Sequence, residues 1–242
     1  MAGIIKTYYD NKQLKEEYFV NNRKKEGVYK SYWKNGAPKS VYNYVNGKSE
    51  GEYKHYYNGQ LLVICNYVHG KKKGEYKRYH EDGQLREICN YVDDKKEGEY
   101  KEYYEYGQLL VMCNYVDGKE EGEYKRYYEN GQLSEICNYI DGKREGECKT
   151  YYKNGHPWVT CNYVDGKCEG EYKEYHENGQ LSDICNYIDD KIEGEVKSYH
   201  QNGRLQKIYN CVGGKIWGEY KSYYVDGQSR KIIYFVGDIA QI

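Results

Sequence analysis

Residues 122–145 read GEYKRYYENGQLSEICNYIDGKRE. Two turn signals divide this stretch, Asn130-Gly131 and Asp141-Gly142. Around them the residues alternate and are rich in Tyr and Ile. Alternation at period two is strand patterning, and no helical period competes with it. Asn-Gly suits a two-residue type I′ turn, whose central residues both need positive φ. The stretch therefore reads as a β-hairpin followed by an exit turn.

The same module recurs along the chain. Its leading glycine falls at Gly3, Gly27, Gly51, Gly74, Gly98, Gly122, Gly146, Gly170, Gly194 and Gly218. The spacing is 24, except 23 after Gly51, where HYYNGQ (residues 55–60) lacks the residue before its turn. Ten such repeats occupy residues 1–242 as a single repeat domain without a linker. Asn130-Gly131, Asn154-Gly155 and Asn178-Gly179 mark equivalent turns. A two-residue Asn-Gly turn and a four-residue Asp-Gly-Lys-Arg loop leave two strands of nine residues in each repeat of 24. With that division each strand meets the same register in every repeat, so the ladder does not drift. The expected fold is all-β: an elongated array of ten antiparallel β-hairpin repeats of 24 residues forming one long twisted sheet. In such an array each repeat is stabilised mainly by its neighbours.

Alternation sorts the side chains onto two faces. In the Gly122 repeat the first face holds Gly122 opposite Tyr139, Tyr124 opposite Cys137, Arg126 opposite Glu135, and Tyr128 opposite Leu133. The second holds Glu123 opposite Asn138, Lys125 opposite Ile136, and Tyr127 opposite Ser134. The first face is the apolar one, and its glycine is expected to leave room for the neighbouring tyrosine ring.

Composition agrees with a tyrosine-built sheet. The chain has 35 Tyr but only 2 Phe and 2 Pro. Tyrosine forms strands and buries its ring while keeping its hydroxyl wet. A net charge of −1 supplies neither a basic footprint for nucleic acid nor a polybasic membrane anchor. The opening MAGIIKTYYD has no apolar signal region, so a cytoplasmic chain with reduced thiols is expected.

Six Cys-Asn-Tyr triplets begin at Cys65, Cys89, Cys113, Cys137, Cys161 and Cys185. Equivalent positions lie two strands apart, about 9.6 Å. A disulfide needs Cα atoms within about 7 Å, and zinc needs its sulfurs closer together than this stripe puts them. The stripe therefore reads as small buried hydrophobes packed against tyrosines. Near Gly194 the triplet is reversed, as Tyr209-Asn210-Cys211, which a packing layer tolerates. Cys148 replaces a tyrosine and falls directly opposite Cys161, a candidate cross-strand thiol pair under oxidation. Cys168 reads as an exposed turn residue.

No catalytic, cofactor-binding or metal-ligating constellation is present. His80, His176 and His200 occupy the second-tyrosine slot, where another flat ring fits; there is no HExxH, CxxC or nucleophile elbow. Pro38 and Pro157 follow the first turn, where each removes a ladder donor and is expected to fray the hairpin tip. The last strand, KIIYFVGDIAQI (residues 231–242), is apolar. An apolar edge either pairs end to end with another copy or is covered by its own tail.

The elements GEYKxYYxNGQL and NYxDGKxxGE resemble the variant MORN repeat, the form found in YwqK-like antitoxins and in repeat proteins of giant viruses. The resemblance covers essentially the whole chain and implies a hairpin array. Classical units carry a YxGxW-type core, which this chain lacks. The residues favour a non-enzymatic interaction scaffold with a protein partner. Its candidate binding face is tyrosine-rich: Tyr76, Tyr100, Tyr104, Tyr124, Tyr128, Tyr152, Tyr172, Tyr220 and Tyr224. Tyrosine offers large contact area at little entropic cost. The resemblance adds the alternative of an antitoxin-like inhibitor of a toxin protein. Near-zero charge and the lack of an amphipathic helix argue against a lipid surface.

Overall fold

The computed structural model describes residues 2–241. All regular structure among them is β-strand. The chain forms two compact units, Met1–Lys119 and Glu120–Ile242. The repeats that begin at Gly3, Gly27, Gly51, Gly74 and Gly98 build the first, and those that begin at Gly122, Gly146, Gly170, Gly194 and Gly218 build the second. Within each unit successive strands pair antiparallel in chain order.

The register follows the counting for most of each hairpin. Gly122 faces Tyr139, Glu123 faces Asn138, Tyr124 faces Cys137, Lys125 faces Ile136 and Arg126 faces Glu135. Between repeats, Glu135 faces Thr150 and Ile136 faces Lys149. The fourth and thirteenth positions after the leading glycine thus meet both within a repeat and across to the next. The ladder does not drift.

The two turns differ from expectation, and they exchange roles. At the Asn-Gly end, the Gly131 amide donates to the Tyr128 carbonyl at 2.9 Å and the Tyr128 amide donates to the Gln132 carbonyl at 2.8 Å. Only Gly131 has positive φ, +81°; Asn130 does not. This is a type I turn followed by a left-handed residue, the three-residue hairpin loop. The Asn130 side chain accepts the Gln132 amide at 3.1 Å, an Asx turn that suits this geometry. The type I′ turn sits at the other end. Asp141 and Gly142 have φ of +54° and +79°, and Ile140 pairs directly with Lys143. Asn46-Gly47, at an exit turn, forms a two-residue turn with Val45 facing Lys48, and so does the Asn-Gly at the first turn of the shortened repeat. There Asn58 and Gly59 have φ of +49° and +82°, and Tyr57 faces Gln60. Loop length, not the dipeptide, selects the turn.

Each change is compensated elsewhere in the strand. The longer Asn-Gly loop forces a bulge, so Tyr127 pairs with Leu133 and Ser134 is the extra residue. Leu133 therefore leaves the cysteine face, where counting put it opposite Tyr128, for the opposite face. The shorter Asp-Gly turn frees two residues, and these reappear around the leading glycine of the next repeat: Tyr139 faces Arg144, yet Ile136 faces Lys149. Gly146, inside that bulge, has φ +76°. A Cβ built there would meet nothing within 4 Å. The leading glycine is thus required by backbone conformation and not, as expected, to make room for a ring.

Pro38 and Pro157 open their strands, Pro38–Val45 and Pro157–Val164, without fraying. The turns before them keep their bonds, with the Trp33 amide donating to Ala37 at 2.8 Å and Tyr152 to His156 at 2.9 Å. At the apolar last strand, Ile239–Gln241 folds back onto Tyr234–Val236. Ile232 stays 59% exposed.

Candidate functional site

The apolar face is a layered structure. Its floor is the cysteine row: Cys65, Cys89, Cys113, Cys137, Cys161 and Cys185 are all buried, and Tyr209 takes that place in the Gly194 repeat. Five of the candidate tyrosines lie over it, each packed on the ring nearest the exit turn of its own repeat. The centroid separations are 5.4 Å for Tyr76–Tyr91, 5.5 Å for Tyr100–Tyr115, Tyr124–Tyr139 and Tyr172–Tyr187, and 5.9 Å for Tyr220–Phe235. Such ring pairs prefer tilted contacts at these distances. A cation from the exit turn completes the layer. Lys96 Nζ lies 4.0 Å from the Tyr100 centroid, 5.2 Å from that of Tyr115, and 3.0 Å from Glu87. Burial, with Glu87 adding to it, pushes the Tyr76 hydroxyl up to about 12. Burial raises Tyr100 and Tyr172 in the same direction.

The remaining candidates, Tyr104, Tyr128, Tyr152 and Tyr224, occupy the slot beside the first turn of their repeats. Tyr128 and Tyr152 donate their hydroxyls to the carbonyls of Tyr151 and Tyr175, one repeat on, both at 2.7 Å. Tyr104 is half-buried and Tyr224 is 52% exposed. The same bond explains every substitution in this slot. His80 and His176 reach the carbonyls of Tyr103 and Tyr199 at 3.0 and 2.9 Å, and Trp33 Nε1 donates to Tyr56 at 3.0 Å. What the slot selects is a ring with a polar hydrogen at the right distance. A flat ring alone, the reading from sequence, misses that.

The turn asparagines repeat the device at the tip. Asn130, Asn154 and Asn178 donate through Nδ2 to the carbonyls of Lys153, Glu177 and Gln201 at 3.3, 3.0 and 2.9 Å. At the other tip, the Glu145 and Glu169 carboxylates accept the amides of Asp165 and Asp189 at 2.8 and 2.9 Å. These turn and second-ring residues therefore hold neighbouring repeats together.

The opposite face is more open. The Glu and Lys two positions apart pair along it, at 2.6 Å for Glu75–Lys77, 2.8 Å for Glu99–Lys101 and 2.7 Å for Glu147–Lys149. In the second unit Ile140, Val164, Ile188, Val212 and Val236 are 52, 48, 50, 51 and 43% exposed. The first four share their face with the exposed Asn138, Asn162, Asn186 and Asn210. A groove between repeats is lined by Leu181, Ile184, Asn186, Glu195, Lys197 and Tyr199. Matching positions line one in the first unit: Ile64, Asn66, Glu75, Lys77 and Tyr79.

One place departs from the repeat. Cys148 and Cys161 face each other across their hairpin, as counting required. The sulfur bonded to Cys148, however, is that of Cys137 in the preceding repeat, with Cα atoms 4.4 Å apart. The expectations of a Cys148–Cys161 pair and of reduced thiols throughout are corrected on this point. The stripe argument excluded bonds between equivalent positions, and Cys148 is not at one. Cys168 is also not an exposed turn residue: it is 9% exposed and packs with Cys137, Cys148 and Cys161. The two-residue Asp-Gly turn puts it in a strand facing Tyr163, in the slot that Arg144 fills one repeat earlier. Donor atoms of Glu135, Cys137 and Cys148 lie within 4.8 Å of one another, but the bond between the two sulfurs leaves neither as a thiolate ligand.

A hairpin-repeat scaffold is the class these features define, with inter-repeat clasps at both tips. The MORN repeat variant matches residues 1–22, 25–46, 72–93, 96–117, 120–141, 144–165, 169–189 and 192–210, and the chain belongs to that family. The unmatched residues 47–71 contain the shortened turn. Members are in general non-enzymatic repeat scaffolds that engage proteins or membranes. No curated protein matches the chain. Among solved structures, one described as TcdB2-TccC3-Cdc42 is 12% identical, with a TM-score of 0.20, over 96% of this chain and 13% of that one. Another, TcdB2-TccC3 without its hypervariable C-terminal region, is 11% identical, with a TM-score of 0.22, over 98% and 17%. The chain thus spans less than a fifth of those chains, and likeness at that level carries no argument.

Proposed function

We propose that this chain is a non-enzymatic scaffold that binds a protein partner, and that the partner docks on the face opposite the cysteines. The observation that carries the reading is the aliphatic row Ile140, Val164, Ile188, Val212 and Val236, each about half exposed. Singly exposed aliphatics need no explanation, but a row of them beside recurrent polar groups is the composition of a docking surface. The row repeats about every 9.6 Å, because a repeat is two strands wide. The candidate tyrosines support the same function from beneath. Five of them are committed to ring pairs in their own repeats, and Tyr128 and Tyr152 to the next repeat.

The test is site-specific photocrosslinking in the native host. A crosslinker at Val164 or Ile188 should capture one defined protein, and the same group at Tyr224 should not. Capture from Tyr224 alone would move the surface to the tyrosine face. Charge placed on the row beside a crosslinker at Ile188, as Val164→Lys with Val212→Lys, should abolish capture while thermal stability is retained.

A further inference from the structure

Six of the nine cysteines lie in the floor of the repeat, Cys65, Cys89, Cys113, Cys137, Cys161 and Cys185, and Cys211 takes the ring slot that Tyr187 fills one repeat earlier. The other two, Cys148 and Cys168, replace a tyrosine and an exit-turn cation, and both fall in the same place. Together with Cys137 and Cys161 they form one buried cluster. Cys148 is bonded to Cys137 on one side and faces Cys161 in register on the other. Directly opposed residues of an antiparallel pair have Cβ atoms about 4.5–5.5 Å apart, so a small side-chain movement brings their sulfurs together. Cys168 packs in the same buried cluster as Cys161 and faces Tyr163, two residues along that strand. The four cysteines therefore follow one another in the order 137, 148, 161, 168 within one packed cluster.

We propose that this cluster is a thiol–disulfide exchange site, in which one disulfide moves along the line of four cysteines. In the first step the Cys161 thiolate attacks Cys148 Sγ. The Cys148–Cys161 bond forms, the Cys137–Cys148 bond breaks, and its electron pair leaves on Cys137, which takes up the proton lost from Cys161. In the second step the Cys168 thiolate attacks Cys161 Sγ. The Cys161–Cys168 bond forms, and Cys148 leaves as a thiolate and is protonated. Both steps are isomerisations and need no external oxidant. The attacking species is the thiolate, so its availability sets the rate. Burial raises the Cys161 thiol, while the Tyr163 hydroxyl and the Arg144 guanidinium act in the opposite direction. Arg144 is held there by Glu135 at 2.5 Å and by the Tyr139 hydroxyl at 3.2 Å.

Removing one sulfur at a time tests the line. The variants are equilibrated in a glutathione redox buffer, alkylated, and mapped by peptide mass spectrometry. Cys137→Ser should form Cys148–Cys161, and Cys148→Ser should form Cys161–Cys168. Cys185→Ser, which alters the floor outside the cluster, should leave Cys137–Cys148 intact. Each variant's fold is checked by circular dichroism under reducing conditions. Where a serine variant is unfolded, the alanine variant at the same position is mapped instead. If Cys148 in folded Cys137→Ser, and Cys161 and Cys168 in folded Cys148→Ser, all remain alkylatable, the proposal is overturned. In the unmodified protein, raising the pH from 7 to 9 should speed redistribution of the disulfide about tenfold or more, because the thiolate fraction rises by that factor for each unit below the thiol pKa. A rate independent of pH would also overturn it.

Discussion

Two layers of the first unit fill one slot differently. In the Gly74 repeat the floor residue is Cys89, and the register pair beside it is Arg78 and Glu87. In the Gly27 repeat the floor residue is Tyr42, and the same pair is Ser31 and Ser40. Tyr42 packs on Tyr29, Tyr44 and Tyr53 at 4.8, 5.2 and 5.3 Å. Ser31 and Ser40 are 7 and 8% exposed and share a hydroxyl hydrogen bond of 2.7 Å. A large floor residue is thus accompanied by small neighbours, and a small one by large neighbours. The Gly194 repeat gives a third solution, in which Tyr209 is accompanied by Val196, Cys211 and a fully buried Ser198. The repeat holds volume constant and not residue identity, as close packing demands.

Alkaline pH should separate the two layers most strongly. Burial, with Glu87 adding to it, pushes the Cys89 thiol up to about 11. Burial, with Glu16 adding to it, pushes the Tyr29 hydroxyl up to about 12. Unfolded values are roughly 8.5 for cysteine and 10 for tyrosine. Both groups have folded values above their unfolded ones, so their contribution is complete below the unfolded value and is lost as pH rises to the folded one. The cysteine layer should weaken first, from roughly pH 8.5, and the tyrosine layer from roughly pH 10. Urea midpoints measured against pH should begin to fall near the lower value. Replacing Cys65 and Cys89 by Val should delay that fall. An unchanged onset would remove the cysteines from the account.

Exchanging the floor residues tests constant volume directly. Tyr42→Ala should cost about 3 kcal/mol, because the serines beside it cannot fill the space. The reverse change, Cys89→Tyr, should cost about 1–3 kcal/mol by overpacking. Adding Arg78→Ser and Glu87→Ser should recover part of that loss. Chemical denaturation of the single and triple variants measures it, and no recovery would show that the serines of the Gly27 repeat have another purpose.

Much of this was legible from residue spacing. The period, the middle of every hairpin register and the sorting of cysteine and tyrosine onto one face follow from counting. The turns did not follow, because Asn-Gly serves both a two-residue loop, as between Tyr57 and Gln60 and between Val45 and Lys48, and a three-residue one. That error moved Leu133 to the other face. The clasp made by Tyr128, His176 and Trp33 had a visible signal, since all three rings carry a polar hydrogen, but its acceptor lies 23 residues away. The Cys137–Cys148 bond crosses between repeats at unequal positions, so an argument from equivalent positions could not find it. Cys168 was missed with it, because its direction depends on the length of the turn before it.

The smallest effect concerns the serine pair itself. If Ser31 and Ser40 are there only for their size, alanine at either position should be nearly neutral. If their hydroxyls depend on each other, either single change leaves a buried hydroxyl without its partner. That should cost about 1 kcal/mol, whereas removing both should be nearly neutral, because no orphan remains. The double-mutant cycle therefore has a sign as well as a size. A coupling near zero means that volume alone distinguishes the Tyr42 layer from the Cys89 layer. A favourable coupling of about 2 kcal/mol means that the smaller neighbours also bring a hydrogen bond that the Arg–Glu layer replaces with charge. Thermal melts of the four proteins at one neutral pH decide between them, since neither hydroxyl titrates there.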